Sequence, residues 1–492
     1  MDVPSTATSP ARPALAGVAA GDDKLAGETE LNENLARLTA AFRAEPYPTY
    51  DQRKEHLGRL ERLVLDNKEA IADAVCADFG NRSRHETLLA EVFVTVTAIR
   101  YLSAQLRGWM RPQTRHVSLV HRPGRAAVMY QPVGVVGVIS PWNYPFQLAV
   151  IPLATALAAG NRVLLKPSEL TPATSALLAR LLHAAFGPDR VGVVLGDSRV
   201  GAAVSRLALD HLLFTGSTSV GRQVLLAAAE HLVPVTLELG GKSPVIVDPT
   251  FDVARAAGRI AYGKLLNAGQ TCIAPDYVIV QTGQEEAFAQ AYAGAVAKLY
   301  PTLARNPDYT SIINDRHLGR LRGLLTDARE RGGDVRMINP ANETFDDRRL
   351  APHLVLKATD AMTVMQDEIF GPILPVVSVP DRAAAADYVR DRPRPLALYV
   401  FDEDKARVDD LLLRTHAGGV TVNDTMLHLA QDDLPFGGTG PSGMGRYHGF
   451  EGFQALSHAK SVYWQSRFNA GWLAAPPFGR AVERLMTVLL GR

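Results

Sequence analysis

The hydrophobic rhythm of the chain changes as it runs. From residue 29 to about 110, apolar residues recur three and four apart, as in "ELNENLARLTAAFRAE" and "YDQRKEHLGRLERLVLDN", which predicts amphipathic helices. In "IADAVCADF", Ile71, Val75, Cys76 and Phe79 fall on one face, so Cys76 is expected in a helical core. Two short extended runs in "RHVSLVHRPGRAAVMYQP" then flank Arg122-Pro123-Gly124-Arg125, a turn signal, and predict a projecting β-hairpin. From 132 onward the runs become short and apolar without a polar face: "VGVVGVIS", "NRVLLKPS", "VGVVLGD" and "HLLFTGS". Each is followed by a helix-like stretch. Strands of this kind are buried on both sides, in a parallel sheet covered by helices.

A second such series starts at "PVIVDP" near 244 and continues through "DYVIVQ" at 276 and "LALYVFD" at 396. Two α/β units are therefore expected, dividing near Glu238-Leu239-Gly240-Gly241. "SHAKSVYWQS" reads as one more strand, suited to pair with the early hairpin. The last stretch, "PPFGRAVERLMTVLLGR", predicts an amphipathic helix begun by Pro476 and Pro477, with Phe478, Ala481, Val482, Leu485, Met486, Leu489 and Leu490 on one face.

Composition narrows the class. A chain of 492 residues is expected to form two or three domains, and 47% hydrophobic with 21% charged residues is ordinary for a globular protein. Lys+Arg 52 against Asp+Glu 51 leaves +1, no electrostatic reason to expect nucleic acid. Two cysteines, Cys76 and Cys272, build no disulfide framework and suit a reducing, cytoplasmic compartment, although a single bridge between them stays open. No CxxC or HExxH occurs, so no metal is expected. The N-terminus lacks a basic start followed by an apolar run, which argues against a secretory signal and for a disordered extension over 1–28. No stretch approaches the ~18 apolar residues of a membrane span.

The chemistry-bearing residues sit mostly at strand ends. "FTGSTSVG" (214–221) joins a strand to a helix with small residues, which is either a plain βα turn or a place where backbone N–H groups meet a phosphate. Lys166 and Glu169 in "LLKPSE" end another strand, either as a solvated pair or where open α/β sheets bind ligands. Asn143 in "SPWNYPF" is a turn residue or an oxyanion donor held between bulky neighbours. Glu238 in "LELGGK" lies in an apolar strand end, where burial would raise its pKa and suit it to base work, unless it caps or pairs. Cys272 in "NAGQTCIAP" is a buried small hydrophobe, a disulfide half, a metal ligand or a nucleophile, and in the last case it is expected as a low-pKa thiolate. "QDEIFGP" adds Glu368 and Phe370, and "LPFGGTGPSGMGRYHG" is a glycine-rich loop.

Together, in this order, "PWNYP", "KPSE", "FTGSTSVG", "LELGGK", "GQTC", "EIFGP" and "PFGG…SGMGRYHG" resemble the motifs of the aldehyde dehydrogenase superfamily, over nearly everything from about 30 to 466. "GQTCIAPDYV" resembles its class 3-like branch, and the tail "FNAGWLAAPPFGR" is similar to that of bacterial coniferyl aldehyde dehydrogenases. The resemblance implies an α/β fold: a Rossmann-like cofactor domain (29–111 and 132–238), a second α/β catalytic domain (239–445) and a small β oligomerisation arm (112–131 and 446–466), followed by a tail at 467–492. It implies oxidation of an aldehyde to the acid through a cysteine thiohemiacetal and thioester, with Cys272 as nucleophile, Glu238 as base and Asn143 as oxyanion donor. It implies NAD as cofactor, with NADP as the other choice. Lys166 and Glu169 would lie at the adenosine ribose, and Gly216, Ser217 and Gly221 near the pyrophosphate. Glu368 would hold the nicotinamide ribose, with Phe370 and Trp142 beside the ring. A hydrophobic aromatic aldehyde is the expected substrate and a homodimer the expected assembly. A medium- or long-chain aliphatic aldehyde is the alternative, and a cysteine-dependent hydrolase a more distant one.

Overall fold

The computed structural model describes residues 26–469 and 476–491. The expected extension therefore falls largely outside the described residues, and its boundary moves, because the first helix, Ala26–Ala44, is already running at residue 26. The helices that follow begin as the pattern demands. Thr49 caps Tyr50–Asp66 in a reciprocal capping box with Gln52, and Leu57, Leu60, Leu63 and Val64 of that helix are buried. In Lys68–Phe79 the buried face is Ile71, Ala72, Val75 and Phe79. Cys76 is half-buried and free, which corrects its expected core position and removes the bridge to Cys272. Five residues after Ile71 is well over a full helical turn, and that places Cys76 at the edge of the apolar stripe.

Arg84–Trp109 is one continuous helical stretch of 26 residues, long and apolar enough to cross a membrane, contrary to the expectation from sequence. Its apolar side is used within the fold: Val96, Ile99, Leu102 and Leu106 are buried in the same core as Leu57 and Leu60. One turn of it, Leu88–Phe93, is π-helical.

A six-stranded sheet runs in the order Gly443–Met444, Val235–Glu238, His211–Thr215, Val135–Ile139, Arg162–Lys166, Val191–Val193, parallel except for the first strand. Val135–Ile139 feeds Arg162–Lys166 on one side, and the chain later returns to its other side as His211–Thr215. That reversal is the topological switch point at which such sheets bind ligands beyond their carboxyl ends. Ser140 to Asn143, Lys166 and Gly216-Ser217 all follow those carboxyl ends. The helix Gln147–Ala159 packs beneath them and is buried at every position.

After Glu238 the chain crosses to a seven-stranded sheet. Its order is Asp334–Met337, His353–Leu356, Ile373–Val379, Tyr277–Gln281, Pro244–Val247, Ala397–Phe401, Gly419–Val422. A third sheet joins Gln113–Arg115, Arg125–Pro132 and Ser457–Trp464, with the last two antiparallel along their full length, from Arg125 opposite Trp464 to Pro132 opposite Ser457. The helix Gly449–Ala455 just before that strand packs into the first core through Phe453. The tail helix starts at Arg480 behind Gly479, later than Pro476 and Pro477 implied, and buries none of its residues.

Candidate active site

Cys272 lies in the turn between the short 3-10 segment Leu266–Gly269 and the strand Tyr277–Gln281. The turn is tightly wound: Asn267, Ala268 and Gly269 take φ of 53°, 51° and 75°. A non-glycine pair in the left-handed region is strained and persists only where surroundings over-determine it. Gln270 supplies much of that constraint. Fully buried, its amide donates to Asn267 O (3.0 Å) and Ser311 O (3.1 Å) and accepts from Ile313 N (3.0 Å). A β-carbon at Gly269 would run into the Gly371 carbonyl, so this position is closed to any other residue.

Asn143, which follows Val135–Ile139 of the six-stranded sheet, is brought against this turn. Its Nδ2 donates to Gln270 O at 3.1 Å, while its own carbonyl accepts from Asn267 Nδ2 at 2.9 Å. Beside it the Tyr144 hydroxyl pairs with Thr271 Oγ1 at 3.0 Å. The side-chain amide of a buried Asn and the nucleophile turn thus already share a hydrogen-bonding surface.

Glu238 ends its strand 2% exposed, and neither carboxylate oxygen has a hydrogen-bond partner. Burial alone drives its pKa well above the ordinary carboxylate range. Once ionised, Glu238 is therefore an unusually strong base. The Cys272 thiol is likewise pushed up to about 12, first by burial and then by the charges of Glu368 and Glu238. This corrects the expected low-pKa thiolate. In this state the nucleophile is a thiol held in an apolar wall with two acids near it, and sequence neighbours alone do not reveal that convergence.

Glu368 is also raised, to about 8, by burial and then by Asp276, against the Gly241 N–H, Lys242 and Arg320, which favour its charge. Its carboxylate occupies the space a β-carbon would fill at Gly240. Its segment is pinned by Lys242, which pairs with Asp276 and donates to Val364 O (2.8 Å) and Asp367 O (3.0 Å), and by Arg320 on Glu368 O (3.2 Å). Phe370 follows with a left-handed φ of 50°. Its ring lies 5.3 Å from Trp142, which also meets His317 at 5.0 Å and Phe79 at 6.3 Å.

At the switch point, Lys166 (Nζ) pairs with Glu169 (Oε2) at 2.6 Å, the lysine side chain 3% exposed and the glutamate 37%. Ser217 caps the helix Thr218–Ala229, and Gly216 N donates to Glu238 O at 3.0 Å, so the phosphate-type turn and the buried acid are neighbours along the backbone. Gly221 faces Leu239 too closely for any β-carbon. The groups gathered here are thus a half-exposed carboxylate at Glu169, a helix N-terminus at Ser217, and Glu368 with a buried oxygen, Oε1, that lacks a partner. That set of groups fits a dinucleotide, with the unpaired oxygen suited to a ribose hydroxyl.

Several residues here carry no motif that reading the sequence singled out. Lys264 is fully buried, has no hydrogen bond on Nζ, and falls to about 8 through burial. Tyr447, by contrast, lies within the glycine-rich motif, which gave its position but not its role: it buries an unpartnered hydroxyl whose pKa is raised by burial and by Glu238 and Cys272. Arg82, paired with Glu91, reaches the Asn143 carbonyl from the helical layer. A Glu in the apolar face of Arg84–Trp109 was the one available signal.

The aldehyde dehydrogenase family model matches residues 8–462. The chain belongs to that family. It is 52% identical over 463 residues (94% of this chain, 97% of the relative) to a probable coniferyl aldehyde dehydrogenase of Pseudomonas aeruginosa. It is 48% identical over 468 residues (94% and 97%) to a coniferyl aldehyde dehydrogenase of a Pseudomonas species. The substrate-bound Staphylococcus aureus AldH structure matches with a TM-score of 0.88 at 35% identity, covering 93% of this chain and 99% of that one. This aldehyde dehydrogenase is thus an NAD(P)-dependent oxidoreductase of the α/β fold that the motifs implied.

Proposed function

We propose that this aldehyde dehydrogenase oxidises an aromatic, coniferyl-type aldehyde, with Cys272 as nucleophile, Glu238 as base and Asn143 as oxyanion donor. One observation carries the reading: aromatic side chains converge on the nucleophile turn, the Tyr144 hydroxyl on Thr271 Oγ1 at 3.0 Å, the Tyr399 hydroxyl on Ile273 O, and Tyr447, close enough to feel the charge of Cys272, with Phe436 5.9 Å from its ring. The names of the two Pseudomonas relatives support it.

Cys272 gives up its proton to solvent and attacks the aldehyde carbon as the thiolate, and the C=O pair moves onto oxygen. That oxyanion accepts from the Cys272 backbone N–H and from Asn143 Nδ2, which exchanges its present acceptor, Gln270 O, for the developing charge. A bound nicotinamide would supply the acceptor for the hydride of the tetrahedral carbon. The C=O re-forms as a thioester on Cys272. Ionised Glu238 then takes a proton from water, hydroxide adds to the acyl carbon, and the acid departs as Cys272 regains its electron pair. Burial, by raising its pKa, makes ionised Glu238 the stronger base for this proton.

Lys166 and Glu169 would hold the adenosine ribose, Gly216, Ser217 and Gly221 would flank the pyrophosphate, and Glu368 would hold the nicotinamide ribose, with Trp142 and Phe370 beside the ring. Glu169 favours NAD, since a carboxylate accepts a 2′-hydroxyl and repels a 2′-phosphate. The reading extends to a cytoplasmic homodimer assembled through the arm, supported by Ser457–Trp464 standing at a sheet edge among the described residues. Sedimentation should give twice the chain mass, and a single-chain mass would remove the dimer.

Steady-state assays with hydroxylated and unsubstituted cinnamyl aldehydes and with short and long aliphatic aldehydes, each with NAD and NADP, test the substrate. The highest kcat/KM is expected for a cinnamyl aldehyde with NAD. A long aliphatic aldehyde preferred tenfold or more would replace this reading with the aliphatic one.

A further inference from the structure

The oxyanion donor is held from behind by a buried ion pair that no catalytic motif contains. Arg82 and Glu91 are both 0% exposed at the side chain and meet at 3.1 Å. Glu91 Oε2 accepts from Phe146 N and Gln147 N, each at 2.9 Å, and so caps the start of the helix that follows the Asn143 turn. Glu91 Oε1 accepts from Arg82 Nη1, and the same nitrogen donates to the Asn143 carbonyl at 2.9 Å. The guanidinium lies 5.1 Å from the Phe79 ring and 4.6 Å from the Tyr144 ring, a stacked slot that fixes its plane. Tyr144 in turn hydrogen-bonds Thr271, next to Cys272.

We propose that Arg82 and Glu91 are the positioning pair of this reaction: together they clamp the peptide of Asn143 between the helical layer and the nucleophile turn. The proposal rests on the reading of Asn143 as oxyanion donor. The Asn143 carbonyl receives two donors from opposite sides, Arg82 Nη1 and Asn267 Nδ2, so the residue cannot rotate about its backbone without breaking one of them. The side-chain amide is then aimed by what its backbone allows, and an error of about 1 Å in such a donor is enough to lose a large factor in rate. The π-helical turn Leu88–Phe93 carries Glu91, and a widened turn of this kind is a frequent device for re-aiming a functional side chain. An ion pair so fully removed from water is expensive as a stabiliser, which fits a role in geometry.

The test is a double-mutant comparison in the full-length enzyme with NAD and saturating aldehyde. Arg82→Met should lower kcat about ten- to hundredfold, leave KM for NAD unchanged, and be partly rescued in Arg82→Lys. In an Asn143→Ala background, Arg82→Met should change kcat by less than about twofold, because the pair acts through Asn143. Multiplying effects in the double variant would overturn the proposal while leaving Asn143 in its role. Near-native kcat in Asn143→Ala alone would overturn the reading of Asn143 and the proposal with it. If Arg82→Met does not fold, Glu91→Gln, which keeps the shape of the side chain and loses its charge, takes its place in both backgrounds. Non-multiplying effects would then support the clamp, and multiplying effects would overturn it.

Discussion

In the cofactor-free enzyme, alkylation of Cys272 should be slow at neutral pH and should accelerate steadily with alkali. The perturbation is pH itself, applied to a Cys76→Ser background so that one thiol reacts. The thiol is pushed from 9.0 to about 12, with burial as the first cause and the two neighbouring acids, Glu368 and Glu238, after it. Raising the pKa of an acid lowers its ionised fraction at any given pH. At pH 8 a thiol at its ordinary value is about one part in ten thiolate, whereas at about 12 it is about one part in ten thousand, a ~10³-fold deficit. Only the thiolate attacks iodoacetamide. The pseudo-first-order rate, followed by peptide mass spectrometry, should therefore rise about tenfold per pH unit from 7 to 10 without levelling. Glu368→Gln should raise the rate less than any change that admits water, since burial leads the causes. A plateau below pH 8 would mean a preformed thiolate and would refute the desolvation argument.

Gly240→Ala should raise KM for NAD by about tenfold or more, because its β-carbon takes the place of the Glu368 carboxylate, while Cys272 alkylation stays near native. An unchanged KM would detach Glu368 from the cofactor. Glu86, raised by burial from 4.5 to about 7, stabilises the fold fully below pH 4.5, and that contribution fades as the pH rises towards 7 because the unfolded chain gives up its proton first. Denaturant titrations from pH 4.5 to 7 should therefore show Glu86→Gln gaining stability relative to the native enzyme as the pH rises, and an identical slope in both would contradict it. Removing residues 476–492, whose helix Arg480–Leu489 leaves Met486, Val488 and Leu489 exposed, should leave alkylation and NAD binding intact and shift KM for bulky or long aldehydes more than for short ones. Equal shifts would reduce the segment to a packing helix.

What the sequence made legible was local. Strands such as Val135–Ile139 and Pro244–Val247 announce themselves as apolar runs, and the Cys272, Glu238 and Asn143 motifs each mark a strand end or turn. The clamp behind Asn143 was not legible, since Arg82 and Glu91 act across 61 and 55 residues of chain and neither sits in a patterned motif. The protonation of the thiol is hidden for the same reason. Its pKa depends on Glu368, far along the chain, and on burial by a cluster drawn from both sheets. Cys76 is a simpler case: a residue at the margin of an amphipathic stripe can be counted on either side.

The central claim is that the acyl group rests on Cys272 until Glu238 releases it. Glu238→Gln, mixed with a coniferyl-type aldehyde and NAD and quenched in acid, tests it most directly. The account predicts one burst of NADH per active site, a steady rate lower by roughly 10²- to 10⁴-fold, and the acyl mass on the peptide that carries Cys272. Undiminished steady turnover, or acyl mass absent from that peptide while NADH forms, would contradict it.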